Sequence, residues 1–221
     1  MKLLRDAALK YVVGLLLVGA LLFVPAGSLA FENGWLLIGL LFGPMLVLGI
    51  VMLMKAPALL EKRLDAKEKE RTQKGVVAVS GLIFLVGFVV AGLDFRFGWS
   101  YVPVWAVIVA SVIFVVSYAL YAEVMRENAY LSRTVKVQQG QQVIDKGLYA
   151  LVRHPMYAVT VWLFLAIPVV LGSWWSLLCF APYPVILAVR IGNEEKILAR
   201  DLPGYTDYQK RVKYRMIPFV W

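Results

Sequence analysis

Cysteine and histidine are almost missing from this chain: one of each in 221 residues. A single Cys179 rules out a disulfide within the chain and leaves redox chemistry without a partner thiol. With His154 as the lone histidine, no protein-ligated zinc or other metal site is expected, because such sites take several nitrogen or sulfur ligands. Charge is scarce as well. Only 17% of residues are charged while 61% are hydrophobic, which excludes an ordinary soluble domain. No internal repeat stands out. The net charge of +9 would suggest nucleic acid if the basic residues formed a patch, but their distribution gives another reason for it.

What the chain has is long apolar runs. Four of them, near 8–24, 34–54, 75–93 and 101–122, reach the roughly 20 residues that a bilayer crossing takes. The first is read as a retained helix rather than a signal peptide, since no convincing small-residue cleavage site follows it and three more spans do. Pro44 and Pro103 fall inside or at the edge of spans, where neighbouring helices can satisfy the freed carbonyls. Residues 156–190 differ. Two apolar arms, Met156–Leu171 and Leu177–Val189, flank the turn Gly172-Ser173-Trp174-Trp175-Ser176. Each arm is short for an independent span, and prolines interrupt both, so a helical hairpin with both ends on one side of the membrane is expected.

The basic residues set the orientation. Of 23 Lys and Arg, 22 fall in residues 1–10, 55–74, 123–154 and 190–215. Arg96, in the short loop after the third span, is the exception. With an even number of crossings, both termini and all 22 charges face the cytosol by the positive-inside rule. The basic excess then reads as membrane orientation and attraction to anionic lipid, and no nucleic-acid partner is expected. The loop 55–74 mixes Lys, Glu, Asp and Arg and is expected to be a solvated helix with i,i+4 pairs such as Asp65–Lys69. The expected fold class is an all-α integral membrane protein: four transmembrane helices, then the C-terminal hairpin and a cytosolic tail. Residues 1–125 form the scaffold and 126–221 carry the chemistry, within one structural unit.

In that last third, Asp145-Lys146-Gly147 is a turn signal, and Arg153-His154-Pro155-Met156-Tyr157 follows it. Pro155 suits the first turn of a helix, which puts Arg153 and His154 at a helix N-terminus, where amides and dipole favour an anion. The plain structural alternative is an interfacial arginine and a histidine that caps the turn. Further on, Arg190 and Glu194 share a helix face at i,i+4, and Glu195 adjoins them. Carboxylates at a membrane boundary are costly unless they meet positive charge, which Arg153 or a cationic ligand supplies. An ordinary solvated helix end is the other reading. The tail from Leu202 to Trp221 interleaves Tyr205, Tyr208, Tyr214, Phe219 and Trp221 with Lys and Arg, as an interfacial segment able to cover the site.

Gly147-Leu148-Tyr149-Ala150-Leu151-Val152-Arg153-His154-Pro155-Met156-Tyr157 resembles the signature of the isoprenylcysteine carboxyl methyltransferase and phospholipid methyltransferase family. Arg190…Glu194-Glu195 and Gly204-Tyr205…Tyr208…Arg211-Val212…Tyr214-Arg215…Ile217-Pro218 match its remainder in order and spacing. The resemblance covers roughly residues 130–221. It implies a multi-pass membrane methyltransferase using S-adenosylmethionine (SAM), in a bacterial inner membrane, with the cofactor enclosed on the cytosolic side and a lipid substrate entering from the bilayer. By position, Tyr149, Arg153, His154, Pro155, Tyr157 and Glu194 would line the cofactor pocket, and Arg190, Glu194 and Glu195 would lie at the reacting centre.

Three positions depart from the family pattern. Leu148 stands where Pro is common, Val159 where Gly is common, and Gln141 where the prenylcysteine enzymes tend to have His. The last makes a prenylated protein a less secure acceptor, and the choice between a carboxylate and an amine stays open. Two other classes compete. Sterol-type reductases that use NADPH share the His-Pro-x-Tyr region and Tyr-rich tail, but Met156 and the Glu194-Glu195 pair depart from them. A non-enzymatic lipid-binding or transport scaffold is the third.

Overall fold

The computed structural model describes residues 2–64, 71–132 and 137–221. The expected Asp65–Lys69 pair, and the cations Lys67, Lys69, Arg133 and Lys136, lie outside the described residues. Among those described, the chain is all-helical.

The four long apolar runs are the helices α1 (Lys2–Ala26), α2 (Glu32–Lys55), α4 (Arg71–Phe97) and α5 (Val104–Glu127). Each extends past the apolar run that marks it, because helical hydrogen bonding continues into polar residues beyond the hydrocarbon. Between α2 and α4 the short α3 (Pro57–Leu64) begins on a proline whose missing N–H costs nothing there. The described part of the charged loop thus holds α3 and, from Arg71, the first turn of α4.

The hairpin is present, and its return arm runs past the expected Leu177–Val189 to Asp201. α6 (Pro155–Val170) is 16 residues, about 24 Å at 1.5 Å per residue. A turn at 171–173 leads into α7 (Trp174–Phe180), capped by the Ser173 side chain, which accepts the Ser176 N–H at 3.0 Å. The chain breaks at Ala181-Pro182 and resumes as α8 (Tyr183–Asp201). The stretch Trp174–Asp201 is itself long and apolar enough to cross a membrane, making five candidate spans among the described residues. α8 runs unbroken to Asp201, so Arg190, Glu194 and Glu195 all stand on one rod. α9 (Tyr205–Arg211) begins the tail.

Large apolar side chains on the outside, including Leu16, Val24, Trp105 and Val185, are exposed, as a lipid-facing surface requires. This is a multi-pass membrane protein. Inside, Leu22, Phe31, Phe88, Phe114, Ile167 and Phe180 are central to one apolar core. α4 meets α7 closely there because position 87 is glycine: a Cβ at Gly87 would overlap the Phe180 ring. At the end of the bundle away from the termini, the buried Asp94 accepts the Ser100 N–H at 2.8 Å, the Ser100 hydroxyl at 2.6 Å and the Ser173 hydroxyl. This latch ties α4 to the hairpin turn. A second cluster, around Met52, Leu60, Val124, Tyr149 and Met156, gathers α2, α3, α5 and the start of α6 at the opposite end.

Candidate functional site

The site is built where α5 ends, where α6 begins and where the tail returns. Gly147 has φ of +57°, and a Cβ there would overlap the Glu127 carboxylate. Only glycine allows that close approach, through which Glu127 accepts the Leu148 N–H at 3.0 and 3.2 Å. The 3₁₀ turn Gly147–Ala150 is thereby pinned to α5. Tyr149 is fixed at both ends: Asn128 donates to its hydroxyl at 2.9 Å, and the Tyr208 hydroxyl donates to its carbonyl at 2.7 Å. Burial, above all, pushes the Tyr149 hydroxyl up to about 12, and it raises the Tyr208 hydroxyl as well. Both stay neutral at physiological pH.

The chain next runs through Arg153 and His154, whose backbone N–H groups donate to the carbonyls of Tyr214 (2.9 Å) and Arg215 (2.7 Å). The amides expected to cradle an anion are therefore occupied by the tail. Pro155 takes the first position of α6 and His154 the cap. The Arg153 guanidinium donates to Glu195 at 2.6 Å and to the carbonyls of Val212 (2.7 Å) and Lys213 (2.8 Å). Glu195 also lies 3.4 Å from His154 Nε2 and accepts from Arg215 at 2.8 Å. Arg153 and Glu195 are 9% and 5% exposed, and a buried carboxylate with this many cationic neighbours is held rather than free. Its job in this geometry is to fasten the tail and the start of α6 to α8.

One turn along α6, the Tyr157 hydroxyl donates to Glu194 at 2.6 Å and accepts from Arg190 Nε at 2.8 Å. The Arg190 guanidinium also sits 5.8 Å from the centre of the Tyr157 ring. Gln73 on α4, fully buried, donates to the Arg190 carbonyl at 3.2 Å and steadies that turn of α8.

These groups open on a cavity of about 810 Å³, within the range of ligand sites. Tyr149, Arg153, His154, Tyr157, Arg190 and Glu194 all line it; Pro155 and Glu195 lie outside that lining. The structure thus divides the adjacent pair: Glu194 faces the cavity and Glu195 the tail. Tyr205 also reaches the wall. It is 4% exposed, and its hydroxyl has no hydrogen-bond partner among the described residues. Burial first, then the nearby Glu195 and Glu194, push that hydroxyl's pKa up. Tyr205 and Arg215 are not among the expected site residues, although both stand in the tail motif. The Glu127 and Gln73 contacts have no local signal, since their partners are 21 and 117 positions away.

Residues 105–200 match the model of the isoprenylcysteine carboxyl methyltransferase (ICMT) family. That match covers less than half of the chain. It runs from α5 to the end of α8 and contains every residue just described except those of α4 and the tail. A similar protein is YpbQ of Bacillus subtilis (strain 168), described as uncharacterized, which is 32% identical over 95 residues. That match spans 42% of this chain and 56% of the relative. The chain thus spans a little over half the length of this relative.

Proposed function

We propose that this protein is a SAM-dependent methyltransferase acting on a lipidic acceptor at the cytosolic face of a bacterial inner membrane. The observation that carries this reading is the single cavity joining the Arg190–Tyr157–Glu194 group to the apolar interior of the bundle. The ICMT-family match over residues 105–200 supports it. So does the gathering of basic residues toward the end that holds both termini.

The residues present fit SAM. A buried, unpartnered Tyr205 hydroxyl at the wall is a group awaiting a ligand. Glu194 provides a carboxylate for the ammonium or sulfonium, while His154, Tyr149 and Arg153 share the same wall. When bound, SAM supplies an electrophilic methyl group on a positively charged sulfur. The protein's part is positioning and exclusion of water. For a carboxylate acceptor, Arg190 holds the oxygens by charge-assisted hydrogen bonds and no base is needed. For an amine acceptor, one proton leaves the nitrogen as the new C–N bond forms, and Glu194 receives it. In both cases the C–S bond breaks and its electron pair stays on sulfur.

Calorimetry of the purified protein with S-adenosylhomocysteine tests the reading, with NADPH titrated in parallel. Binding of the homocysteine nucleoside and none of NADPH is expected. Binding of NADPH alone would turn the assignment to a reductase, and binding of neither would leave a non-enzymatic lipid protein. Comparing host lipids with and without the gene by mass spectrometry then separates O-methyl from N-methyl products.

A further inference from the structure

The apolar part of the cavity has a floor. The stripes of side chains that line it descend along five helices and stop at Leu41, Phe84, Tyr118, Phe164 and Tyr183. Three of these interlock edge to face: Phe84 with Phe164 at 4.6 Å, Phe84 with Tyr183 at 6.2 Å and Phe164 with Tyr183 at 5.0 Å. Behind Phe84 stand the rings of Phe180 (5.0 Å) and Phe88 (5.9 Å), both buried and neither part of the cavity wall. Phe84 thus stands between the cavity and these two core rings.

Depth follows from helix geometry. Tyr157 and Phe164 are seven residues apart on α6, and so are Tyr183 and Arg190 on α8, which places the floor about 10 Å below the polar groups. That is about one third of a hydrocarbon core roughly 30 Å thick. Above the floor the walls are roomy: Gly49 on α2 and Gly81 on α4 line the cavity, and a Cβ at either meets nothing within 4 Å.

We propose that Phe84, backed by Phe164 and Tyr183, sets the longest hydrocarbon chain that the acceptor can bring into the site. The inference rests on reading the cavity as the acceptor's site. A chain that ends at the Phe84 ring buries all its methylenes, each adding to affinity. Methylenes beyond that depth find no room, so affinity stops rising with length.

The test uses straight-chain carboxylic acids and alkylamines of six to sixteen carbons as probes, on full-length protein in nanodiscs, read by the shift in Tm. For the wild type, the shift should grow with chain length and then level off. In Phe84→Ala the levelling-off should move to chains several carbons longer, because the space before Phe180 and Phe88 is opened. Phe88→Ala, which removes a ring outside the cavity wall, should leave the break where it was. Should Phe84→Ala not fold, Gly81→Phe decides instead, by moving the break to shorter chains. A Tm shift that climbs steadily with length would overturn the proposal, as would a break unmoved by Phe84→Ala and Gly81→Phe, or one moved equally by Phe88→Ala. S-adenosylhomocysteine binding, measured on the same samples, keeps the readings apart: its absence sinks the methyltransferase, while an unmoved break with the nucleoside bound sinks only the chain-length limit.

Discussion

Arg153 and Glu195 meet at 2.6 Å, each more than nine-tenths buried. They join the start of α6 to the far part of α8, 42 positions apart. Breaking a buried pair from one side leaves an uncompensated charge, at a cost of about 3–5 kcal/mol. Arg153→Met and Glu195→Leu should therefore each lower Tm sharply, while the two together recover much of the loss. Thermal melts in detergent check this. A double variant as unstable as the sum of its parts would show that the pair is not coupled.

Glu194 should behave differently from its neighbour. Glu194→Gln keeps the hydrogen bond from Tyr157 and faces the cavity, so Tm should change by less than about 1 kcal/mol equivalent. Methyl transfer should fall by about 10²-fold or more if the acceptor is an amine. Tritium transfer from labelled SAM to lipid extract is the measurement, and wild-type rates in Glu194→Gln would remove Glu194 from the chemistry.

Tyr205→Phe separates binding from folding. The hydroxyl has no partner among the described residues, so its loss should leave stability unchanged or raise it slightly. If it bonds the cofactor, affinity for S-adenosylhomocysteine drops by about tenfold, the equivalent of roughly 1.4 kcal/mol. Titration calorimetry reads both variants, and equal affinities would mean that the hydroxyl faces no ligand.

Gly147→Ala should be worse than a helix-surface change. It combines a positive φ with overlap on the Glu127 carboxylate, which costs upward of about 1–2 kcal/mol from the backbone alone. It should also loosen Tyr149 and weaken nucleoside binding. A Tm within a degree of wild type would contradict the pinning of this turn by Glu127.

At the other end of the bundle, Asp94→Ala leaves two hydroxyls and an amide without their acceptor. Stability should fall by about 1–3 kcal/mol, with S-adenosylhomocysteine affinity unaltered because the cavity does not reach this latch. Altered affinity would point to coupling across the membrane.

The apolar runs by themselves determined the helices. Hydrocarbon leaves a backbone no partner but itself, so length and hydropathy specify a spanning helix with little help from neighbours. The proline at 155 and the glycine at 147 likewise announced a helix start and a turn through local stereochemistry. Arg153, His154, Tyr157, Arg190 and the glutamates were legible as a group from their order and spacing. What each one faces was not. That Glu195 turns to the tail and Glu194 to the cavity depends on Arg215 arriving 20 residues later. The engagement of the Arg153 and His154 amides depends on the carbonyls of Tyr214 and Arg215, some 60 positions on. The continuation of α8 to Asp201 and the aromatic floor under the cavity were equally hidden, since Phe84, Phe164 and Tyr183 come from three separate helices. Local residue types decide where the chain is helical; which ends of those helices meet, and so which charges are spent on structure and which are left for chemistry, only the packed bundle decides.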